Sequence, residues 1–360
     1  MKSLLVLMMA LAAFATGCHK EETKVQLDKS YRLLIKMDGK FGYADRGGIT
    51  VIPPTFPSAS LFSQGLASVR VNGKDGFIDV NGKMVIPPAY EGASIFLDGR
   101  AAVQKGGRWG YINAAGEKIT DTEYLATFGY TDGLAAVVVQ KGAEAKAGYI
   151  DHDGKFAIKP QFDDASQFAE GLASVKSGKN HGYIDKTGKM VIEPQFFQAA
   201  MFRDGLAMVK INGKFGLVGY IDHSGKMVIP AVYAEGTSFN DGVAAVRKNA
   251  SDEVWQLIDT TGKPVTDKTY KSPTVFSEGL APVVVEHKVG YMDKQGKMVI
   301  EPKFQSGSIF AEGLAPVQVN GKLGYIDRKG KLVVEPRFEW DQRSIDQYTH
   351  YYTHFVKDNP

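Results

Sequence analysis

Three kinds of side chain in this sequence could do chemistry. An Asp or Asn ends the string Gly-Tyr-Ile-Asp, or a close variant, nine times along the 360 residues. Paired carboxylates are the groups that hydrolyse glycosidic bonds. His350 and His354 are four residues apart, which suits a metal if the segment is helical. Cys18 is the only cysteine. Whether any of these groups acts chemically depends on the elements that carry them.

The faithful recurrence of the aspartate favours a role in turns over a catalytic role. Asp and Asn side chains both accept hydrogen bonds from backbone amides two residues on, and Asn113 keeps that ability without the charge. A Gly follows three residues after the Asp, as in a type I turn with a bulge. We therefore predict repeated structural turns. Their clearest positions are Asp79, Gly82, Asp185, Gly188, Asp222, Gly225, Asp293, Gly296, Asp327 and Gly330.

These turns belong to an internal repeat. Successive Asp or Asn positions are separated by 34, 34, 38, 34, 37, 37, 34 and 34 residues. The strings Asp/Glu-Gly-Leu-Ala and Gly-Lys-Met-Val-Ile-Pro recur with the same period. Three signals with one period indicate an array of about nine units over residues 31–340.

One copy shows the predicted elements of the unit. Residues 66–71 and 74–79 read as strands, and Asn72-Gly73 between them is a strong two-residue hairpin signal. Residues 83–86 form a third strand that ends at two prolines, which cannot donate to a ladder. The unit is therefore a three-stranded antiparallel meander.

The segment that returns to the next meander carries two aromatic residues six positions apart. An even spacing keeps both rings on one side of an extended chain, so we predict a crossover with a short fourth strand. We interpret the rings as core between repeats and not as a platform for a cofactor or a base. The inter-repeat aromatic residues are Phe62, Phe96, Phe168, Phe202, Phe239, Phe276 and Phe310.

The predicted fold class is all-β, because a lone sheet of this size cannot bury one face and must stack on its neighbours. A closed toroid like a β-propeller is the first choice, and an open superhelical β-array is the alternative.

Departures from the repeat mark places of interest. The first copy, with Gly47-Gly48 at its turn, is expected to act as a terminal cap. Residues 142–147 of the fourth copy read as a longer hairpin loop, and the sixth and seventh hairpins are also irregular. Insertions of this kind either drift at exposed hairpins or lie on a binding face. Residues 341–360 lack the repeat signature and are expected to be a C-terminal tail or cap.

The N-terminus has the features of an export signal. Lys2 precedes an apolar run of eleven residues, Leu4 to Phe14, which is too short to span a bilayer. The Ala-Thr-Gly-Cys stretch that ends at Cys18 resembles a bacterial lipobox. The resemblance implies that residues 1–17 are removed, that Cys18 is lipidated and that residues 18–30 form a tether. The alternative is an ordinary secretory signal with a chance cysteine.

The repeat itself resembles the bacterial WG (Trp-Gly) repeat. The resemblance rests on Gly-Leu-Ala, Lys-x-Gly-Tyr-Ile-Asp and Gly-Lys-x-Val-Ile-x-Pro-x-Phe, and Trp109-Gly110 supplies the dipeptide of the name. It implies a repeat used for interactions, in a family without an established set of catalytic residues.

Motifs of common enzyme classes are missing from the sequence. There is no Walker loop, no Gly-x-Ser-x-Gly elbow and no His-Glu-x-x-His, and residues 151–154 lack the further acids of a calcium loop. The net charge of +3, with both signs interspersed, argues against a nucleic-acid partner. We expect no cofactor and no metal.

Two functions remain from the sequence. The first is a membrane-anchored scaffold that binds a protein or a cell-envelope polymer, with the outer membrane favoured if the host has one. The second is an envelope hydrolase that acts on a glycan through acidic residues in a groove.

Overall fold

The computed structural model describes residues 31–121, 123–211, 213 and 216–355. These residues form nine small antiparallel sheets and one helix. The sheets follow one another in sequence order and form the blades of a nine-bladed β-propeller. The predicted all-β toroid of tandem repeats is confirmed.

The strands of each blade are consecutive in the chain. Blades 1 to 3 contain β1 (Leu33–Met37), β2 (Lys40–Ala44) and β3 (Thr50–Phe56); β4 (Leu66–Val71), β5 (Lys74–Asp79) and β6 (Met84–Tyr90); β7 (Gly92–Ala93), β8 (Arg100–Lys105) and β9 (Arg108–Asn113). Blades 4 to 6 contain β10 (Ala126–Thr127), β11 (Ala135–Lys141), β12 (Glu144–Ile150) and β13 (Phe156–Phe162); β14 (Asp164–Ala165), β15 (Leu172–Ser177), β16 (Asn180–Asp185) and β17 (Met190–Phe196); β18 (Gln198–Ala199), β19 (Ala207–Lys210), β20 (Val218–Ile221) and β21 (Met227–Tyr233). Blades 7 to 9 contain β22 (Glu235–Gly236), β23 (Val243–Arg247), β24 (Trp255–Asp259) and β25 (Pro264–Tyr270); β26 (Leu280–Val285), β27 (Lys288–Asp293) and β28 (Met298–Phe304); β29 (Ser306–Gly307), β30 (Leu314–Val319), β31 (Lys322–Asp327) and β32 (Leu332–Glu339). Helix α1 (Gln342–His354) follows the last blade.

Blade 5 shows the complete unit. Strands β15, β16 and β17 form the predicted meander, and the two residues of β14 pair with β15 as a fourth strand next to the central channel. The outermost strand, β17, exposes alternate side chains to solvent. The β15–β16 hairpin lies at one end of the ring, and the turn after Asp185 lies at the other. We call these the hairpin end and the turn end.

The repeated aspartate shapes the turn end of each blade. The Asp185 Oδ1 accepts hydrogen bonds from the backbone N–H groups of Thr187 and Lys189 at 2.9 and 3.0 Å. The Gly188 N–H donates to the Asp185 carbonyl at 2.9 Å, which closes the turn. The Thr187 hydroxyl also donates to this carboxylate and lowers the pKa of Asp185. The other four predicted turn aspartates each accept the same two hydrogen bonds from backbone N–H groups.

The glycine of this turn is also the contact point between blades. Gly188 has a φ of +84°, and a Cβ there would lie 3.0 Å from the Cγ2 of Ile158 in the preceding blade. The corresponding contact of Gly48 is with Val334 of the last blade. The first blade therefore packs on the ninth as each other blade packs on its predecessor. This contact closes the ring and excludes the open superhelical array.

Aromatic residues form a second inter-blade contact. The rings of Tyr183 and Phe202, in blades 5 and 6, are 5.0 Å apart, and both side chains are fully buried. The Tyr183 hydroxyl donates to the Ala200 carbonyl of the next blade at 2.7 Å, and burial raises the pKa of this tyrosine. Five more of the predicted aromatic residues make equivalent ring contacts with the preceding blade: Phe62, Phe96, Phe168, Phe239 and Phe310. Phe276 is buried in the same layer beside Leu257.

The central strand of blade 7 lacks a glycine that the other central strands have. In blade 4, Gly148 faces a bulge of the outer strand, and a Cβ there would lie 2.7 Å from the Ile158 carbonyl oxygen. Gln256 occupies the equivalent place in blade 7, where it pairs directly with Thr269. The missing glycine therefore coincides with a different register of the outer strand.

Two expectations about irregular copies are wrong. The extra residues of the fourth copy do not enlarge its hairpin loop, because Lys141 pairs with Glu144 across a two-residue turn and both strands are longer. The first copy does not cap an open end, because its turn contacts Val334 and its Arg46 donates to the Glu312 carbonyl. The predicted signal peptide (1–17), Cys18 and the tether to residue 30 lie outside the described residues.

Substitution of Gly225 tests the inter-blade contact. Gly225 and Gly205 lie in the same blade with φ of +84° and +81°, but only Gly225 would place a Cβ against a neighbour, 3.0 Å from Ile192 Cγ2. Both alanine variants suffer the same backbone strain, so Gly225→Ala should lower the free energy of unfolding by about 1–3 kcal/mol more than Gly205→Ala. Urea denaturation measures the difference. Equal losses would show that the turn does not pack between blades.

Candidate functional site

Helix α1 crosses the central channel of the ring. Asp341 caps its N-terminus and pairs with Lys36 of blade 1 at 2.7 Å. Further along, the Tyr351 hydroxyl donates to Ser63 of blade 2 at 3.1 Å. At the C-terminal end, Arg203 of blade 6 donates to the His354 carbonyl at 2.6 Å. Contacts with blades 1, 2 and 6 place the helix inside the ring, and a cation at its C-terminus complements the helix dipole.

One position of the repeat explains which side of the channel the helix covers. The residue directly before the buried aromatic residue faces the channel. It is apolar in blades 2, 3, 8 and 9, and small, amide-bearing or Met in blades 4 to 7. Leu61, Val275 and Ile309 on the apolar side pack in one cluster with Tyr348 of the helix. In chain order, the position is occupied by Leu61, Ile95, Gly129, Gln167, Met201, Ser238, Val275 and Ile309.

The side that the helix leaves uncovered is a cavity of about 500 Å³. Gln167, Met201 and Ser238 line it, and the C-terminal end of the helix closes one side. Among the described residues that line the cavity, Arg203 alone is charged at neutral pH, because burial and the charges of His350 and Arg203 lower the pKa of His354 to about 4. The described lining is thus largely apolar, with a few polar side chains and one cation. We call this space the channel cavity.

A buried amide in the wall of the channel cavity has an unsatisfied acceptor. Asn240 is 8% exposed, and its Oδ1 has no hydrogen-bond partner among the described residues. The equivalent residue of blade 4, Thr131, also has a buried oxygen without a partner there. Buried polar atoms are paired in nearly all native structures, so these two oxygens are exceptions at one position of the repeat.

The sequence did not single out Arg203 or Asn240. Both occupy the position directly after the buried aromatic residue, where the other copies have Ser, Leu, Thr or Ala. A large polar side chain in that position was the available signal. This side chain belongs to no sequence motif, because its role depends on how the ring brings two successive blades together at the channel.

A ring of carboxylates at the turn end joins the blades. The residue before Gly-Leu-Ala reaches the following blade, where Asp132 accepts from the Gly171 N–H at 2.9 Å and lies 4.0 Å from Lys186. Glu170 likewise accepts from the Gly205 N–H and lies 3.1 Å from His223. These acids make contacts between neighbouring blades.

The residues predicted to form turns are not gathered into one site. The selected Asp and Gly positions are spread around the rim of the ring at the turn end. His350 and His354 lie on α1 with their rings stacked at 4.2 Å. Among the described residues, no three His, Cys, Asp or Glu side chains are close enough to hold a metal ion. The sequence-predicted residues are thus structural in their placement, and the channel cavity is built from others.

The hairpin end of blades 6 to 8 presents a second irregular feature. The hairpin of blade 7 has a polar loop of seven residues, 248–254, between β23 and β24. Apolar side chains are exposed beside it, with Val284 of blade 8 the most accessible at 58%. We define the hairpin surface as Leu217, residues 248–254 and residues 284–287. It is the part of the rim at this end where insertions and exposed apolar side chains coincide.

The family of the chain follows from its repeats. The pattern described as "WG containing repeat" matches nine consecutive segments that start at residue 41 and end at residue 340. These segments correspond to the nine blades. The chain belongs to the WG repeat family. In this WG-repeat protein the first eight matched segments begin inside one blade and end inside the next, and the ninth lies within blade 9. They are residues 41–74, 76–109, 109–141, 148–180, 182–215, 219–250, 255–288, 290–322 and 324–340.

Comparison with other proteins adds little about function. No curated protein matches the chain. Hsv2p of Kluyveromyces lactis is 10% identical over 65% of this chain and 91% of its own, with a TM-score of 0.37. A prolyl endopeptidase structure is 12% identical over 68% of this chain and 50% of its own, with a TM-score of 0.39. The extracellular domain of a one-component system from B. thetaiotaomicron is 10% identical over 90% of this chain and 55% of its own, with a TM-score of 0.33. Likeness at this level supports no functional inference.

The docking of α1 should depend on pH. Burial, then the charges of His350 and Arg203, lower the pKa of His354 from 6.5 to about 4, and burial also lowers the pKa of His350. A helix released from the channel regains ordinary histidine pKa values, so it binds more protons than the docked helix between about pH 6.5 and 4. Docking should therefore weaken as the pH falls through this window. Hydrogen exchange of residues 342–354, corrected for intrinsic rates, measures it.

The matched variant for this prediction is His354→Gln, which removes the titrating group and keeps a polar side chain. The variant should lose part of the pH dependence of helix protection. Identical pH profiles for the two proteins would contradict the assignment.

Proposed function

We propose that this WG-repeat protein is an exported, lipid-anchored scaffold that binds a protein partner in the cell envelope through the hairpin surface. The observation that carries the proposal is the coincidence of an expanded polar loop with exposed Leu217, Val254 and Val284 on three successive blades. Apolar side chains surrounded by polar residues are typical of sites of protein association. The rest of the ring supplies a rigid support for this surface.

The arrangement of acids supports binding over hydrolysis. A glycan hydrolase needs two carboxyl groups about 5–9 Å apart on either side of a substrate. The recurring acids of this protein instead accept backbone hydrogen bonds within the turns or between adjacent blades. The hydrolase remains the alternative function, and turnover of a panel of envelope glycans by the purified protein is its direct test.

The export part of the proposal rests on the sequence of residues 1–18, with an apolar run followed by small residues and Cys18. Within the part of the chain that the structure describes, no helix is long and apolar enough to cross a membrane. A lipid on Cys18 would supply the attachment, with residues up to 30 as a tether to blade 1.

Lysine substitution of the hairpin surface tests partner binding. The chain from residue 18 onward, which keeps all blades and α1, serves as bait in a pull-down from solubilised envelope. One specific partner should be recovered, and the triple variant Leu217→Lys, Val254→Lys, Val284→Lys should reduce its recovery about tenfold or more, because charges replace apolar contact area. The matched control is Val51→Lys, Val85→Lys, Val191→Lys, which makes the same charge change at exposed apolar residues of outer strands.

Equal recovery with both triple variants would show that the partner binds elsewhere on the ring. Glycan turnover without any specific partner would contradict the scaffold proposal and favour the hydrolase.

Substitution of Cys18 tests the anchor. Cys18→Ser removes the thiol that would carry the lipid, so the variant should move from the membrane fraction to the soluble fraction of the envelope. Mass spectrometry of the mature wild-type N-terminus should show a lipidated Cys18. An unmodified cysteine, or a Cys18→Ser protein that stays with the membrane, would contradict the lipid anchor.

A further inference from the structure

We propose that a second cavity in the channel, between α1 and blades 2 to 4, binds a neutral saccharide unit. The cavity has a volume of about 360 Å³ and shares no lining residue with the channel cavity or the hairpin surface. Arg70 and Asp75 of blade 2 line it from the ring, and Gln347 and His350 line it from α1. We call it the ion-pair cavity. The proposal does not depend on the protein partner proposed above.

The ion pair of blade 2 is a departure from the repeat. Asp75 precedes the glycine of the central strand, and in most other copies this position is apolar, as in Phe41, Val289 and Leu323. Asp75 is 8% exposed, and Arg70 holds both of its oxygens, with Nε 2.7 Å from Oδ1 and Nη2 2.9 Å from Oδ2. A buried ion pair is seldom more stabilising than apolar side chains of similar size. Its place in a cavity wall therefore points to a role in binding.

Both members of the pair can be reached from the cavity and can form further hydrogen bonds. The Arg70 side chain is 38% exposed and the Asp75 side chain 12%. The Arg70 Nη2 also donates to the Glu91 carbonyl at 3.0 Å, whereas Nη1 donates to no residue that the structure describes. Each Asp75 oxygen accepts one bond from Arg70 and has room for another. The pair can thus donate to one hydroxyl group of a ligand and accept from the next.

The charges of the described wall cancel. Arg70 and Asp75 are the charged residues among the described lining, and each neutralises the other. Burial, then the charge of Arg203, lowers the pKa of His350, so its ring is neutral at neutral pH. A charged ligand would lose its hydration without meeting an excess of opposite charge. The wall therefore favours a ligand that is polar but neutral.

The rest of the wall suits the carbon skeleton of a sugar. Ile95, Tyr351 and Phe355 supply apolar and aromatic surface around the cavity. Gly129 occupies the channel-facing position of blade 4, and a Cβ there would collide with Leu97, so the missing side chain keeps this space open. Ligand pockets commonly enclose about 300–1,000 Å³ and combine such surface with a few polar groups.

Helix α1 supplies polar groups on the side opposite the ion pair. Gln347 carries both donors and an acceptor, and the neutral ring of His350 has one of each. A saccharide carries hydroxyl groups around its whole ring, so it can bond to the blades on one side and to the helix on the other. Binding should therefore also protect α1, because a ligand stabilises the state that it binds.

Calorimetric titration of the chain from residue 18 onward tests the proposal with six probes: glucose, galactose, mannose and the uronate of each. At least one neutral sugar should bind with a Kd of about 5 mM or tighter. The corresponding uronate should bind at least about tenfold more weakly, because its carboxylate would be desolvated near Asp75.

The decisive variant is Arg70→Val, Asp75→Val. It copies Val284 and Val289, which face each other at the same two positions of blade 8. Because the repeat already accommodates this apolar pair, the double variant should fold, and its affinity should fall about tenfold or more with the loss of the charge-assisted bonds. Gln347→Leu removes a polar contact from the helix side and should weaken binding about threefold or more.

The matched control is Lys176→Val, His181→Val, which changes the same two facing positions in blade 5, away from the ion-pair cavity. It should bind the sugar as the wild type does. Circular dichroism and thermal unfolding show which variants are folded. If the double variant is unfolded, Gln347→Leu decides, because Gln347 bonds to no described residue and its loss leaves the fold intact. Failure of all three neutral sugars to bind, equal binding of the uronates, or wild-type affinity in the deciding variant would each overturn the proposal.

Discussion

Packing between neighbouring sheets is the interaction on which the rest of this protein depends. A sheet of three or four short strands has two faces and too few residues to cover either one. A blade solves this by placing a turn glycine on a branched side chain of the preceding blade and, in most copies, a tyrosine ring against an aromatic residue of the following one. The repeat length follows from the need to supply both halves of these contacts in every copy.

Closure of the ring is a consequence of the same contact. Because each blade offers one face to its predecessor and another to its successor, an open array would leave two apolar faces in water. Blades 1 and 9 meet through Gly48 and Val334 and share a core cluster that includes Ile35 and Phe338. The first copy therefore needs no special cap, even though it begins without the Gly-Leu-Ala string.

Nine blades enclose a channel that their inner strands do not fill, and α1 fills part of it. The helix packs on the apolar residues of the channel-facing position, which occur in blades on one side of the ring. The opposite side keeps Gln167, Met201 and Ser238, and Arg203 and Asn240 stand at its wall. The regular positions thus hold the blades together, and the departures from the repeat lie at the channel and at the hairpin surface.

The sequence alone determined the repeat, the meander and the turns, and it favoured a closed toroid without excluding an open array. These features are local or periodic, because alternation, Asn-Gly hairpins and Asp-to-Gly turns depend on residues a few positions apart. The short fourth strand also followed from the even spacing of aromatic residues in the return segment. Even so, the fourth hairpin was misjudged, since two strands can lengthen together and absorb the extra residues without any local signal.

Only the tertiary structure decided how the ring closes, where α1 lies and what lines the channel. The Val334 side chain meets Gly48 across most of the chain, and Arg203 meets His354 across 151 residues. The partner of Tyr183 is the ring 19 positions later in the next blade, and no spacing within one copy encodes that contact. Contacts of this range exist only after the blades have stacked, because stacking sets which residues of different copies become neighbours.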